Sequence, residues 1–294
     1  LTGQVWYNET ANTLKYFYNN PGAWATGGVL NTARRLLAGA GTQTAALAFG
    51  GYTGSPSALT ESYNGTSWTE VNDLNTARRQ LAGAGTNTAA LGFGGYNPTL
   101  PVSPIANTES WNGTNWTEVN DLNTARSRLA GAGIQTAALA FGGDPSTAVT
   151  ETWNGTNWTE VNDLNTARRE LAGAGTNTAA LAFGASPSLA LTESWNGTNW
   201  TEVNDLNTGR GALGGVGVDN TSALAFGGEG PAVTGATESW NGTNWTEVAD
   251  LGTARYALAG AGIQTAALAF GGQPSGTLTE EWNSGPATVT ITTD

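Results

Sequence analysis

The pattern of apolar and polar positions along the chain predicts short strands throughout. Residues 136–143, TAALAFGG, alternate small and large apolar residues, as expected for a strand that packs on both faces. Two further strand-like segments follow in the same unit, VTETWNG and NWTEV. No apolar stripe with a period of about 3.6 residues, the mark of an amphipathic helix, runs along any part of the sequence. The pattern therefore predicts an all-β fold.

This pattern recurs six times, and one arginine marks each copy. We call these residues the marker arginines; they belong to the motif TAR, or TGR in one copy, and are Arg34, Arg78, Arg126, Arg168, Arg210 and Arg255. Successive marker arginines lie 42 to 48 residues apart. A period of about 40 to 50 residues with four strand-like segments per unit is typical of a β-propeller blade.

The unit at residues 123–164 shows how one blade is predicted. TARSRLAGAG would form the innermost strand, where small residues avoid clashes as the strands crowd around the axis. TAALAFGG, VTETWNG and NWTEV would be the second, third and outermost strands. Between the last two, Asn154-Gly155 predicts a type I′ turn, in which both central residues take a positive φ.

Ring closure depends on the N-terminal segment. Trp24 precedes Arg34 by the same ten residues that separate Trp68 from Arg78, so KYFYNNPGAW at 15–24 is predicted to supply the third and fourth strands of a blade. These strands either complete the sixth blade or begin a seventh, for which no good innermost strand is found. We therefore predict six four-stranded blades, closed by N-terminal strands, with residues 1–30 as a closing segment and 31–294 as the six blades.

The repeated positions resemble the kelch repeat, which has an arginine before the first strand, Gly-Gly after the second, an aromatic residue in the third and a tryptophan opening the fourth. In one unit these are Arg126, Gly142-Gly143, Trp153 and Trp158. The resemblance covers roughly residues 31–282 and implies a kelch-type propeller. It implies no particular function, because propellers serve many roles.

A second resemblance concerns the start of the chain. Residues 3–28 resemble a segment of bacteriophage tail-fibre and other structural proteins, and blades such as NTARRLLAGAGTQTAALAFGG resemble kelch-type virion proteins of marine cyanophages. The resemblance implies a virion component. Since the first residue is Leu rather than Met, we expect a processed product or a piece of a longer polypeptide.

Composition narrows the chemistry. The chain carries a formal charge of −12 and has no Cys, His or Met, so it offers no thiol nucleophile, no disulfide and no imidazole base or metal ligand. We expect no cofactor and no metal. Lys15 is the single lysine and no basic run exists, which argues against a nucleic-acid partner. No apolar stretch approaches the roughly 20 residues that insert into a membrane.

The repeated side chains are interpreted as structural. Each marker arginine is expected to pair, across blades, with the Glu of a TES-like strand and with loop carbonyls, although a ring that binds anionic sugars is the alternative. A catalytic role for the repeated glutamates is disfavoured, since every blade carries the same acid. The tryptophans that open the outermost strands are expected to pack between blades; they are Trp68, Trp116, Trp158, Trp200 and Trp245.

The loops between second and third strands differ in every unit, from DPSTA to YNPTLPVSPIAN. Loops on a rigid scaffold often carry recognition, and a proline in each of them limits flexibility; relaxed constraint on exposed loops is the alternative. These loops are expected to share a face with the crossovers from the outermost to the next innermost strand. The candidate binding residues on that face are Tyr52, Tyr96, Asn97, Asp144, Glu229 and Gln273.

The functional hypothesis is a non-enzymatic virion appendage or decoration protein that binds host-surface glycans through these loops, outside the cell and beside other virion proteins. A homo-oligomer is compatible with this hypothesis. A purely structural docking disc is the first alternative, and a propeller enzyme of the sialidase or galactose-oxidase kind is the second. The oxidase needs His and Cys, which the chain lacks. The sequence leaves the ligand and the host open.

Overall fold

Six antiparallel sheets make up the computed structural model, which describes residues 4–10 and 13–291. The N-terminal strands and those of the first three blades are β1 (Val5–Asn8), β2 (Thr13–Thr26), β3 (Ala38–Thr42), β4 (Ala45–Phe49), β5 (Thr60–Tyr63), β6 (Trp68–Val71), β7 (Ala82–Gly85), β8 (Ala90–Phe93), β9 (Thr108–Trp111), β10 (Trp116–Val119), β11 (Ala130–Ile134), β12 (Ala137–Phe141), β13 (Thr150–Trp153) and β14 (Trp158–Val161). The remaining strands are β15 (Ala172–Gly175), β16 (Ala180–Ala185), β17 (Leu189–Trp195), β18 (Trp200–Val203), β19 (Gly214–Asp219), β20 (Ser222–Phe226), β21 (Thr237–Trp240), β22 (Trp245–Val248), β23 (Ala259–Ile263), β24 (Ala266–Phe270) and β25 (Thr279–Ile291).

Each sheet is one blade of a six-bladed β-propeller, which confirms the predicted fold. In blades 1 to 5 the strands follow one another in chain order from the innermost to the outermost, for example β11-β12-β13-β14 in blade 3. The register pairs Ala132 with Leu139 and Trp153 with Trp158. Within residues 4–10 and 13–291, no helix is long and apolar enough to cross a membrane.

As predicted, the sixth blade combines both ends of the described chain, and residues 4–10 and 13–291 form no seventh blade. Residues 15–24 belong to one strand, β2, and supply only the fourth strand of the blade instead of the predicted third and fourth, because residues 279–282 already form the third. Its strands are β23, β24 and β25, and β2 from the N-terminal segment lies outermost. Trp24 pairs with Trp282, just as Trp116 pairs with Trp111 in blade 2. Strands from distant parts of the chain therefore close the ring.

Beyond this pair, β2 and β25 continue together as a ribbon, with β1 paired on the outer side of β2. We call residues 4–8, 13–20 and 285–291 the ribbon. In the other blades the third strand ends at the aromatic residue equivalent to Trp282, where the chain turns. The nine residues from Asn283 to Ile291 extend about 30 Å further at about 3.3 Å per residue. The ribbon therefore projects from one face of the disc.

The Gly-Ala sequence of the innermost strands follows from crowding around the axis, as predicted. A Cβ added at Gly173 would lie 2.6 Å from the ring of Phe141 and 2.7 Å from the carbonyl oxygen of Gly131, both in the preceding blade. Interiors packed at this density leave no room for a methyl group. Glycine at this position lets neighbouring blades approach closely.

Aromatic residues fill the space between blades. Trp116 of blade 2 packs on Phe49 of blade 1, with ring centroids 4.9 Å apart, and its Nε1 donates to Thr60 Oγ1 at 3.1 Å. Trp24 makes the equivalent contacts to Phe226, at 5.2 Å, and to Thr237. The tryptophan of each outermost strand thus anchors its blade to the preceding one.

The turn between the third and outermost strands differs from the predicted type I′ geometry. At Asn154-Gly155 only the glycine has a positive φ, of 92°. The Asn154 Oδ1 instead accepts hydrogen bonds from the backbone N–H groups of Thr156 and Asn157, both at 2.9 Å. The asparagine side chain caps the turn, so the asparagine backbone does not need the left-handed conformation.

Candidate functional site

The marker arginines are buried and ion-paired, and each pair lies within one blade rather than between blades as the sequence had suggested. Arg78 Nη1 lies 2.6 Å from Glu109 Oε1, and the side chains are 0% and 1% exposed. In blade 3, the equivalent pair joins Arg126 Nη2 to Glu151 Oε1 at 3.2 Å. Each pair is local because the arginine enters the innermost strand while the glutamate lies on the third strand of the same blade.

Burial and pairing act in opposite directions on these arginines. Burial lowers the pKa of Arg78 from its usual range, and the charge of Glu109 opposes that shift. The second glutamate oxygen is occupied as well, since Glu109 Oε2 accepts from the backbone N–H and the Nδ2 of Asn75 at 2.7 and 2.8 Å. The repeated Arg–Glu pairs are therefore enclosed structural groups and present no ligand-binding surface.

A ring of backbone hydrogen bonds surrounds the mouth of the central channel. It joins the residues two positions after each marker arginine, and each N–H donates to the carbonyl of the ring residue in the preceding blade at 2.7–2.9 Å. All six have φ between 51° and 59°, which directs their backbone groups around the ring. These residues are Leu36, Gln80, Arg128, Glu170, Ala212 and Ala257.

The loops that differ between blades all reach one face, the face opposite the ribbon. They are residues 50–59, 94–107, 142–149, 186–188, 227–236 and 271–278. Each loop meets the residue directly after a marker arginine, as in the bridges between Arg35 and Tyr52 and between Arg79 and Tyr96. We call these loops, together with the first and second residues after each marker arginine, the varied face.

A cleft of about 390 Å³ on the varied face lies between blades 6 and 1. Arg35, Tyr52 and Gln273 line it, and we call it the Tyr52 cleft. Arg35 donates a hydrogen bond to the side-chain oxygen of Gln273. The Tyr52 ring lies 5.2 Å from the Arg35 guanidinium and 4.6 Å from that of Arg79. Two arginines thus flank one tyrosine.

Two of the other predicted binding residues are held by neighbours. Tyr96 extends the same series, since its ring lies 5.3 Å from the Arg79 guanidinium. Asn97 is buried and braces its own loop: its Nδ2 donates to the Ala77 carbonyl at 2.7 Å, and its Oδ1 accepts from Thr99. The Asn97 side chain thus fixes the loop conformation.

The remaining predicted residues lie further around the ring. Asp144 Oδ1 is 2.6 Å from Arg169 Nη1 across the boundary between blades 3 and 4. Glu229 is exposed on blade 5, where its backbone bridges to Gly211. The structure therefore brings Tyr52, Tyr96 and Gln273 together through arginines but leaves Asp144 and Glu229 on other blades.

Sequence reasoning missed Arg35 and Arg79 as candidate binding residues. The signal that could have found them is the sequence variation at the position directly after each marker arginine. That position reads Arg, Arg, Ser, Arg, Gly and Tyr in the six blades, while the marker itself never changes. The predicted binding surface had rested only on sequence variation in the loops between the second and third strands. The structure shows that the loops and these positions form one surface.

Charge is distributed unevenly over the molecule. The outermost strands carry exposed glutamates around the rim, namely Glu70, Glu118, Glu160, Glu202 and Glu247. Arginines that are not markers lie only on the varied face, namely Arg35, Arg79, Arg128 and Arg169. Among residues 4–10 and 13–291, no cluster of three or more carboxylates could hold a metal ion.

Comparison with models of known protein families gives no match, and comparison with curated protein sequences gives none either. The functional argument therefore rests on the geometry of the varied face.

Proposed function

We propose that this chain is a non-enzymatic, kelch-type propeller of a bacteriophage virion, located outside the host cell, that binds host-surface glycans through its varied face. One observation carries the proposal: nearly all non-repeated side chains of the propeller gather on one face of an otherwise repeated molecule. Rigid scaffolds commonly place recognition in such loops. Tyrosine, arginine and amide groups in a shallow cleft suit a polar, hydroxyl-rich ligand.

The position of the ribbon supports this orientation. Strand β25 starts beside the loop 271–278 on the varied face and leaves the disc on the opposite side. An attachment through the ribbon to other virion proteins would leave the varied face free. Many copies on one particle, or a homo-oligomer, would convert weak single contacts into strong attachment by avidity.

The placement of carboxylates supports a non-enzymatic role. Glycoside hydrolysis uses two carboxyl groups of different environment around one bond. On the varied face, Asp144 and Glu170 are each ion-paired to an arginine, at 2.6 and 3.1 Å. The repeated glutamates are either buried in pairs or spread around the rim, so no single cleft is favoured for catalysis.

A second candidate function, a structural docking disc, is favoured by one feature of the ribbon. Val5, Tyr7 and Leu14 share one face of it, because Tyr7 pairs with Leu14 and Val5 lies two residues away on the same strand. Their exposed fractions are 57%, 53% and 39%. Contact with another virion protein would bury this apolar surface. In this alternative the varied face has no glycan ligand.

A glycan-array experiment tests the proposal. The chain is displayed multivalently on beads and screened against bacterial surface polysaccharides, beside a variant in which residues 52–58, the loop that lines the Tyr52 cleft, are replaced by the sequence DPSTA of blade 3. We expect binding that the loop exchange abolishes while the melting temperature changes little. No binding at any display density, or binding that the exchange leaves intact, would contradict the proposal and favour the docking disc.

A further inference from the structure

Ion pairing divides the ten arginines into two groups. Eight of them lie within 4 Å of a carboxylate; they are Arg34, Arg78, Arg126, Arg128, Arg168, Arg169, Arg210 and Arg255. The other two, Arg35 and Arg79, form no ion pair within residues 4–10 and 13–291. Both of these arginines flank Tyr52.

The groups around these two arginines are neutral. Arg35 donates to the amide oxygen of Gln273, and Arg79 lies between the rings of Tyr52 and Tyr96. Neither contact neutralises a positive charge, although cation–π contacts stabilise it modestly. On a chain with a net charge of −12, these two neighbouring guanidinium groups have no carboxylate within 4 Å among residues 4–10 and 13–291. Uncompensated guanidinium groups beside a cleft are a recurrent arrangement for binding anions.

We propose that the Tyr52 cleft binds the anionic group of an acidic saccharide, a carboxylate or a sulfate ester, through Arg35, while Arg79, which contacts the Tyr52 ring but does not line the cleft, adds positive charge beside it. This inference rests on the proposed function and names the class of glycan. The planar guanidinium of Arg35 offers paired donors to two anionic oxygens. Gln273 and the Tyr52 hydroxyl offer neutral hydrogen bonds for sugar hydroxyls, and the cleft volume of about 390 Å³ accommodates one or two sugar residues.

The other arginines of the varied face are less suited to this role. Arg128 lies 3.1 Å from Glu170 at the channel mouth, and Arg169 lies 2.6 Å from Asp144. An anion at either place would have to displace a carboxylate that is already bound. The marker arginines have side chains that are 0% exposed, so a saccharide cannot reach them.

The acidic rim adds a selectivity that can be measured. Exposed glutamates on the outermost strands repel an anionic polymer everywhere except near the uncompensated arginines. Attraction in the cleft acts over short distances, because the Debye length is about 8 Å at physiological ionic strength. We therefore expect the affinity for an acidic saccharide to fall as the salt concentration rises.

The test uses two matched pairs of probes. Oligogalacturonate and its methyl ester share one backbone and differ in the carboxylate, and dextran sulfate and dextran differ in the sulfate. Affinity is measured by biolayer interferometry with the chain displayed on the sensor. We expect binding to at least one charged probe and at least about tenfold weaker binding to its neutral partner. Binding to only one charged probe identifies the anionic group.

Three variants locate the site. Arg35→Gln should weaken binding of the charged probe by about tenfold, because it removes a charged hydrogen-bond donor from the cleft. Arg79→Gln removes a charge beside the cleft and should weaken binding by a smaller factor, about threefold. Lys15→Gln removes the same charge from the ribbon and should change the affinity by less than about twofold, since the ribbon lies beyond screening distance. Melting temperatures establish that all three variants are folded.

The outcomes separate this inference from the proposed function. Equal binding of charged and neutral probes, no binding of either charged probe, or unchanged binding by both arginine variants would overturn the inference. Array binding that the loop exchange abolishes, together with any of these results, would leave the proposed function standing with a neutral glycan as the ligand. If the array shows no binding that depends on the exchanged loop, and one of these results is also obtained, both the inference and the proposed function are overturned.

Discussion

Arg126 and Arg128 lie two residues apart in blade 3, and each pairs with a glutamate, yet they belong to different regions of the molecule. Arg126 is enclosed, and its partner Glu151 lies in the same blade with a side chain that is 0% exposed. Arg128 stands at the channel mouth with 31% of its side chain exposed and pairs with Glu170 of the next blade. The first position is the same in all six blades, and the second differs in nearly every one.

The difference shows how one chain separates folding from recognition. A buried charge cannot be exchanged without its partner, so the interior repeats one solution. A backbone ring fixes the position of residue 128 and its equivalents, and their side chains are therefore free to vary. The backbone ring gives the varied face a stable frame that does not depend on the side chains at residue 128 and its equivalents.

The largest expected effect comes from breaking an interior pair. Arg126→Ala leaves Glu151 buried without its ion partner and should lower the free energy of unfolding by about 3 to 5 kcal/mol. Arg128→Ala, the matched control, should lower it by less than about 1 kcal/mol, because its pair is partly solvated. Urea denaturation measures both. Equal losses of unfolding free energy in the two variants would mean that the interior pair and the varied-face pair contribute equally to stability, which contradicts the distinction drawn here.

A methyl group between blades should have the next largest effect. Gly173→Ala brings a carbon to 2.6 Å from Phe141 and should destabilise the fold by about 1 to 3 kcal/mol. Gly27→Ala serves as a control, since its added carbon would meet side-chain atoms of Glu281 and Thr279 at 3.2 Å or more. Thermal unfolding compares the two. A neutral Gly173→Ala would mean that the blades pack more loosely around the axis than the structure indicates.

The boundary between blades 1 and 6 offers a pH-dependent test. The Tyr63 hydroxyl donates to Glu281 at 2.6 Å, and burial together with this hydrogen bond raises the pKa of Tyr63 to about 12. The folded state thus favours the protonated phenol, and this contribution is complete below about pH 10 and is lost as the pH rises to about 12. Tyr63→Phe should cost about 1 kcal/mol at neutral pH.

Tyr63→Phe should also make the free energy of unfolding depend less steeply on pH above about pH 9. The difference in unfolding free energy between the wild-type protein and Tyr63→Phe, measured by urea denaturation from pH 9 to 11.5, should shrink as the pH rises. A difference that stays constant with pH would mean that the phenol titrates equally in the folded and unfolded states.

The smallest expected effect is at the surface. Arg169→Gln breaks the pair with Asp144, whose side chain is 34% exposed, and should change the unfolding free energy by less than about 1 kcal/mol. Salt should reduce even that difference. If Arg169→Gln lowered the free energy of unfolding as much as Arg126→Ala in the same urea experiment, the Arg169–Asp144 pair would contribute to stability like the interior pairs, contrary to this account.

Much of the fold was predictable because the recurring motif gives the length and the number of the blades. Equivalents of Arg126, Trp153 and Trp158 recur in the same order in successive units, so strand order and blade number followed from one unit. Ring closure by the N-terminal segment followed from the sequence separation of ten residues between Trp24 and Arg34. The ribbon was not predictable, since it requires residues 14–20 to pair with 285–291, and neither segment repeats.

The candidate site was predictable only as a face. Varied loops indicated where recognition would lie, but the partners of Arg35 and Arg79 depend on which side chains meet across blades. The left-handed backbone at Leu36 and its five equivalents also left no signal, because none of these residues is glycine. Tertiary hydrogen bonds around the ring impose that conformation against local preference.

The most direct test of the separation between frame and recognition surface is hydrogen exchange with and without the polysaccharide that binds most strongly on the array. We predict slower exchange of backbone amides in residues 50–59, 94–107 and 271–278 of the varied face, with unchanged exchange in the ribbon. Protection confined to the ribbon or the rim, or no protection on the varied face, would contradict the account.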